Sequence, residues 1–333
     1  MKRAAVLCGI GAWVPPGVVT NEALSAVMDT TDEWIRTRTG IRERRVVEPG
    51  TATSDLAVVA GRRALDSAGV KSADLVILAT TTPDHPCPAT APDVAARLGM
   101  TGVPAWDVAA VCSGFLYGLA TANAFLTGGT AERVLLIGAD AFSTILAPND
   151  RSTRPIFGDG AGAVVLRAGE SDEPGALGDI VLGSDGSLRD LITIPAGGSR
   201  TPLSGPDDPD GYFAMQGKPV FRHAVTRMTA AAQEARRRAG WSAEEVDCLV
   251  AHQANYRILQ AVAAKLDVPM TRCAVNLDRV GNTAAASIPL ALADAAADGQ
   301  LKTGHRALLT AFGGGVTWGA ATLTWPDIPV EGS

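Results

Sequence analysis

Between Asp107 and Glu132 the chain carries no charged residue. The run opens "DVAAVCSGFLYGLATANAFL" and is apolar on every face a helix could present. Such a helix belongs either in a bilayer or at the centre of a large protein. Ser113, Gly114, Tyr117, Gly118, Thr121 and Asn123 interrupt the run, and basic flanking anchors are missing. The pattern therefore predicts a buried central helix. At the front of the chain, "MKRAAVLCGIGAWVPPG" imitates a signal peptide with two basic residues and an apolar run. It lacks an A-x-A cleavage site and stops at the turn Pro15-Pro16-Gly17, so it is predicted as a first buried strand.

The pattern also repeats. "ALDSAGVKSADLVILATTT" (64–82) is echoed by "ARRRAGWSAEEVDCLVAHQAN" (235–255), each a helix end near a Gly, a turn and an apolar strand. Residues 107–139 line up loosely with 276–315, both reading strand, polar loop, long uncharged helix, turn, strand. Alternating strands and helices imply parallel sheets covered on both faces. Two copies predict a duplicated α/β chain: a five-layered α/β/α/β/α body with a pseudo-twofold axis. On this alignment Cys112 and Asn282 fall at equivalent points, each in a loop leading into a central helix. The expected division is a first half over 1–170, a connecting region over 171–217 and a second half over 218–333. Within the connection, residues 183–217 are rich in Gly, Pro, Ser and Asp, which predicts either disorder or a lid or tunnel wall. Residues 218–239 read as a helix ending before Gly240.

Bulk properties narrow the function. The chain has 333 residues, 47% hydrophobic and 19% charged, in keeping with a soluble α/β protein. A net charge of −6 argues against a general nucleic-acid binder. The five cysteines (Cys8, Cys87, Cys112, Cys248 and Cys273) are widely spaced, with no C-x-x-C. They suggest neither a disulfide framework nor a zinc site, and point to a reducing cytoplasm.

Four features carry possible chemistry. A thiol at a helix entry feels the positive end of the helix dipole, which favours thiolate at Cys112; equally, free Cys is among the most buried and inert residue types. "AHQAN" (251–255) puts His252 at the C-terminal end of a strand, where sites of open α/β sheets gather. "RVGNTAAAS" (279–287) puts Asn282 before a helix, and "AFGGGVTWG" (311–319) puts three glycines after a strand. Singly these read as a satisfied His, an N-cap Asn and a flexible turn. Together, after matching strands, they suggest a site.

With "DTTDEWIRTRTGIRERR" (29–45), "DVAAVCSGF" (107–115), "IFGDGAGAVVL" (156–166), "HQANYRI" (252–258), "LDRVGNTAAASIP" (277–289) and "AFGGGVTWG" (311–319), the sequence resembles the initiating β-ketoacyl-(acyl carrier protein) synthases of the thiolase-fold superfamily over essentially its whole length. The Cys–His–Asn set is the specific part of the likeness. Elongating synthases use Cys–His–His, and thiolases carry a second cysteine in a C-terminal glycine-rich motif. The resemblance implies an acyl-enzyme on Cys112 formed from an acyl-CoA primer. It implies an oxyanion hole from the N–H groups of Cys112 and Gly314, and decarboxylation of malonyl-carrier protein supported by His252 and Asn282. It also implies a homodimer with no metal or redox cofactor, no nucleic acid and no membrane.

For CoA the resemblance implies Trp34, Arg38, Arg151, Met215, Gly217 and Asn255, with adenine packed between Trp34 and Arg151. Thr30-Thr31-Asp32-Glu33 reads as a capping box opening the Trp34 helix, which Gly40 closes, and Trp34 and Arg38 share one face. The acidic carrier protein implies a basic docking patch, for which Arg222, Arg257 and Lys265 are the candidates by family position. "ARRRAG" (235–240) reads instead as a solvated helix end favoured by the dipole. Phe312 and Cys87 are expected at the primer pocket, Cys87 from across the dimer interface. A residue as small as Cys there predicts a primer beyond acetyl, such as propionyl or isobutyryl.

The remaining motifs read blandly. His223 and His305 have no partner in sequence. "GIGAWVPPG" (9–17) has Val14 where a dinucleotide fingerprint needs its third Gly, and "GDGAGA" (158–163) reads as a close-packing bend. Two other functions are weighed: an acyltransferase using the same acyl-Cys on a non-malonyl acceptor, which would not need Asn282, and a non-catalytic partner subunit, which would usually lack the nucleophile.

Overall fold

A computed structural model of the protein describes residues 3–206 and 208–333. In chain order its strands are β1 (Arg3–Trp13), β2 (Gly17–Thr20), β3 (Glu43–Val46), β4 (Leu75–Ala79), β5 (Ala105–Val108), β6 (Arg133–Asp140), β7 (Gly160–Glu170), β8 (Leu177–Ser184), β9 (Ile192–Thr193), β10 (Ala214–Met215), β11 (Cys248–Ala251), β12 (Arg306–Gly313) and β13 (Thr317–Thr324). Its helices are α1 (Asn21–Ser25), α2 (Asp32–Thr39), α3 (Thr53–Ser67), α4 (Ala91–Arg97), α5 (Gly114–Thr127), α6 (Gly217–Arg238), α7 (Tyr256–Lys265), α8 (Leu277–Val280) and α9 (Ser287–Ala297).

Two sheets form the frame. One runs β1-β7-β6-β4-β5 and the other β11-β12-β13-β8. In the first, β4 pairs parallel with β6, and β6 antiparallel with β7. In the second, β11 pairs parallel with β12, and β12 antiparallel with β13. The sequence "LVILA" of β4 is buried throughout, as a strand covered on both faces must be. Helices α3 and α4 cover the outer face of the first sheet, α6 and α7 that of the second, and α5 and α9 pack between the sheets. The five layers expected of the duplicated chain are these.

The uncharged run forms α5, whose side Gly118 sets against Leu136: a Cβ there would lie 2.4 Å from the leucine Cδ1. Among the described residues no helix is long and apolar enough to cross a membrane. The opening run forms β1, which pairs antiparallel with β7 and is mostly buried. The "GDGAGA" segment packs closely on α9, since a Cβ on Gly162 would lie 2.7 Å from Pro289.

Three local expectations change. Leu75, Val111 and Arg133 correspond to Cys248, Ala284 and Arg306, each the same distance further along the chain, so Cys112 corresponds to Ala285. Asn282 lies three residues before that point and is no counterpart of the cysteine. The loose alignment lacked the backbone marker: Val111 and Ala284 both have φ 47, each opening a 3-10 turn before its central helix. Second, β8 falls inside the expected connecting region but is a strand of the second sheet, and residues 183–217 contribute β9 and β10, which pair with each other. Third, the cap of α2 is Thr31, whose Oγ1 accepts the Trp34 N–H at 3.1 Å. Thr30, which would open the expected capping box, is one residue early, and its Oγ1 is buried without a partner.

Candidate functional site

The two halves meet at a narrow apolar cavity of about 40 Å³, walled by Cys112, Phe157, Phe213, His252, Asn282 and Phe312 among others. Cys112 comes from the 3-10 turn that precedes α5. Val111, just before it, adopts the left-handed conformation that costs a non-glycine residue roughly 1–2 kcal/mol, and so aims the cysteine away from the strand direction. His252 follows β11, with its backbone N–H donating to the Thr310 carbonyl at 2.8 Å. Asn282 lies in the loop between α8 and α9; its Oδ1 accepts the Ala284 N–H at 3.0 Å. That bond uses the carbonyl end of the amide and leaves Nδ2 free to donate into the cavity.

The electrostatics are those of a buried, apolar pocket. Burial, and then the charge of Asp140, push the Cys112 thiol above its ordinary range. The thiolate expected from the helix dipole is therefore not the resting form; desolvation outweighs it. Burial pushes the His252 imidazole down to about 3, so it is neutral at physiological pH. Its Nδ1 is buried without a hydrogen-bond partner.

The glycine turn is pressed against the cysteine. A Cβ on Gly313 would lie 2.7 Å from the Ala110 oxygen and 2.9 Å from the Cys112 nitrogen. One on Gly314 would lie 2.9 Å from Val111 Cγ2. Among the described residues neither the Cys112 N–H nor the Gly314 N–H donates to another residue. Two backbone donors are thus left available, one on the cysteine's own turn and one on the glycine turn packed against it.

Arg151, far from Trp34 and Arg38 in sequence, joins them at the surface. The Arg38 guanidinium lies 4.5 Å from the Trp34 ring centroid and that of Arg151 lies 5.5 Å from it. Arg151 also pairs with exposed Asp29 at 2.7 Å. For a flat ring to stack between Trp34 and Arg151, the arginine has to swing outward from this position. Asn255 caps α7 through Oδ1 and donates Nδ2 to the Arg38 carbonyl at 2.9 Å, tying the Trp34 helix to the His252 loop. Met215 lines the cavity, and Gly217 opens α6 with nothing within 4 Å of a Cβ built on it.

Arg222, Arg257 and Lys265 are exposed and make no ion pair among the described residues. Arg257 adjoins Ile258, and Arg222 lies near Val220 and Ala224, all of which wall the cavity. The arginines of "ARRRAG" behave as a helix end: Arg237 and Arg238 both pair with Glu234. Cys87 is exposed, and within a single chain it is not among the residues of the cavity.

Two features had no signal in the sequence. Phe142 and Phe157 stack at 4.3 Å, and Phe213 meets both edge-on, at 5.0 and 5.1 Å, forming an aromatic wall beside Cys112. Behind it, fully buried Asp140 takes hydrogen bonds from Thr80, Thr81, Thr82 and Ala285. The phenylalanines are scattered between positions 142 and 213, and no period links them.

The family models and the relatives of high identity agree on one group. Residues 106–186 match the family described as 3-oxoacyl-[acyl-carrier-protein] synthase III, and residues 237–325 match its C-terminal domain. A β-ketoacyl-[acyl-carrier-protein] synthase III of Streptomyces coelicolor is 60% identical over 98% of this chain and 99% of its own. The crystal structure of 3-oxoacyl-(acyl carrier protein) synthase III from Pseudomonas aeruginosa superposes with a TM-score of 0.92 at 49% identity, covering 98% of this chain and 99% of that one. A priming β-ketosynthase from a polyketide biosynthetic pathway superposes at 0.89 with 34% identity, covering 98% of each chain.

Proposed function

The chain belongs to the β-ketoacyl-[acyl-carrier-protein] synthase III family, and from that premise we propose that it is a priming condensing enzyme acting on an acyl-CoA and a malonyl-carrier protein. The observation that carries the reading is the meeting of Cys112, His252 and Asn282 at one apolar cavity, with the Cys112 and Gly314 N–H groups unused.

The Cys112 sulfur attacks the thioester carbon of the primer, and the oxygen of the tetrahedral intermediate receives the N–H groups of Cys112 and Gly314. Coenzyme A leaves as its thiol, carrying the proton the cysteine gave up. The malonyl thioester then enters. Neutral His252 and the Asn282 amide donate to its thioester oxygen, so that loss of carbon dioxide leaves an enolate held by two hydrogen bonds. The enolate carbon attacks the acyl-Cys carbonyl, the carbon–sulfur bond breaks, the released Cys112 thiolate takes a proton from solvent, and the β-ketoacyl-carrier protein departs. No step of this scheme calls for a metal or a redox cofactor.

Trp34, Arg38 and Arg151 would grip the adenine end of CoA, with Met215, Gly217 and Asn255 along the entry. Arg222, Arg257 and Lys265 would meet the acidic carrier. The apolar wall suits a short saturated acyl group and disfavours the malonyl carboxylate as primer. A homodimer would bring Cys87 from the second subunit to this pocket, and its small size favours propionyl or isobutyryl over acetyl. The setting consistent with its free thiols is the cytoplasm, in fatty-acid initiation or polyketide starter selection.

The test offers acetyl-, propionyl- and isobutyryl-CoA in competition, adds malonyl-carrier protein, and identifies the product by mass. A β-ketoacyl-carrier protein supports the reading, and its chain names the primer. A strict preference for acetyl would overturn the Cys87 argument. Acyl transfer to another acceptor without release of carbon dioxide would overturn the condensing role.

A further inference from the structure

The pseudo-symmetry that relates Cys112 to Ala285 also relates Asp140 to Gly313, the last residues of β6 and β12. Each ends its strand against the turn that opens the opposite half's central helix. Gly313 faces the Cys112 backbone and offers nothing to its N–H. Asp140, in the mirror position, accepts the Ala285 N–H on Oδ2 at 2.9 Å. One half thus leaves its backbone donor open for substrate, whereas the other closes the same donor with a carboxylate.

That closure reaches the active site in two steps. Ala285 follows Ala284, whose own N–H holds the Asn282 Oδ1 at 3.0 Å. The other Asp140 oxygen accepts from Thr80 Oγ1 at 3.1 Å, Thr81 N at 2.6 Å, Thr82 N at 3.2 Å and Thr82 Oγ1 at 3.2 Å, which anchors the carboxylate to the end of β4. We propose that Asp140 is a positioning residue for the decarboxylation and condensation step: by fixing Ala285, and through it Ala284, it holds the Asn282 amide with its N–H₂ toward the thioester oxygen. The proposal rests on the role given to Asn282 above. Acyl transfer to Cys112 uses neither Ala284 nor Asn282, so the two half-reactions depend on Asp140 differently. Of the ionisable groups at the site, Cys112 feels the Asp140 charge, whereas His252 is shifted by burial alone.

The experiment follows both half-reactions in single turnover by intact mass: adduct formation from propionyl-CoA, then adduct discharge by malonyl-loaded acyl carrier protein. Asp140→Asn keeps the shape but turns an N–H₂ toward either the threonines or Ala285, where a donor already stands. It is expected to slow discharge tenfold or more while changing the pH-independent plateau rate of acylation less than threefold. Its acylation profile should move to lower pH, because the charge that raises the thiol is gone. Asp140→Glu keeps the charge and displaces the carboxylate, so it should slow discharge without that pH shift. Equal losses in both half-reactions, or no loss in discharge, would overturn the proposal. If the Asn variant does not fold, the Glu variant decides by the same comparison, and failure of both to fold overturns it in favour of a purely structural carboxylate. A wild-type protein that takes no acyl group would instead overturn the reading of the site, and this proposal with it.

Discussion

A methyl group on Gly313 would stand 2.9 Å from the backbone nitrogen of Cys112. Real side-chain contacts are not made at that distance, so the first glycine of the turn, the last residue of β12, is fixed by the cysteine it faces. Gly313→Ala is expected to push the Cys112 N–H out of line and to slow acyl-adduct formation by about 10²–10³-fold, the usual loss for one oxyanion donor. Stopped-flow acylation checks this, with circular dichroism as the control for folding. Acylation within a few-fold of wild type would show that the turn has room to relax.

Trp34 carries two guanidinium groups against its ring, those of Arg38 and Arg151. Trp34→Ala should raise KM for the acyl-CoA about tenfold and leave the rate at saturation nearly unchanged, because the ring binds a part of the substrate remote from the reacting carbon. Discharge by malonyl-carrier protein, measured on enzyme already acylated, should not move. A fall in kcat without a change in KM would contradict a role in CoA binding.

Arg257 sits beside the cavity wall, exposed and without an ion pair among the described residues. Arg257→Glu is expected to raise KM for malonyl-carrier protein at least fivefold, with the effect shrinking as salt rises, while acylation from CoA stays as it was. Surface titration at two ionic strengths tests this. An effect independent of salt would point to lost packing instead.

His252 carries a stability consequence of its own. Its folded value of about 3 lies below the 6.5 of an exposed imidazole, so between those values the unfolded chain binds the extra proton. Stability contributed by the neutral ring is complete above 6.5 and is lost as pH falls toward 3. His252→Asn, which removes the titration, should lose less stability than wild type between pH 7 and pH 4 in denaturant unfolding. Equal losses would mean that the ring is not buried as described.

Much of this was readable from the chain because it depends on local pattern. The charge-free stretch gave α5, the echo of 64–82 in 235–255 gave the duplication, and the glycines at 313–315 gave the turn. What escaped depends on contacts between distant residues. Asp140 meets Ala285 across 145 positions, and nothing around either residue marks the pair. Chemistry aligns Cys112 with Asn282, three residues out of register, whereas the geometry the halves share is the left-handed pair Val111 and Ala284. The thiol's state escapes the sequence for a related reason: position at a helix entry is visible there, whereas desolvation is a property of the packed cavity.

The central claim, an acyl group carried on Cys112, is met most directly by trypsin mapping of the protein after brief exposure to propionyl-CoA. The account predicts a propionyl adduct on the Cys112 peptide, absent from Cys112→Ala and removed on adding malonyl-carrier protein. An adduct on Cys8, Cys87, Cys248 or Cys273 in its place, or no adduct at all, would contradict it.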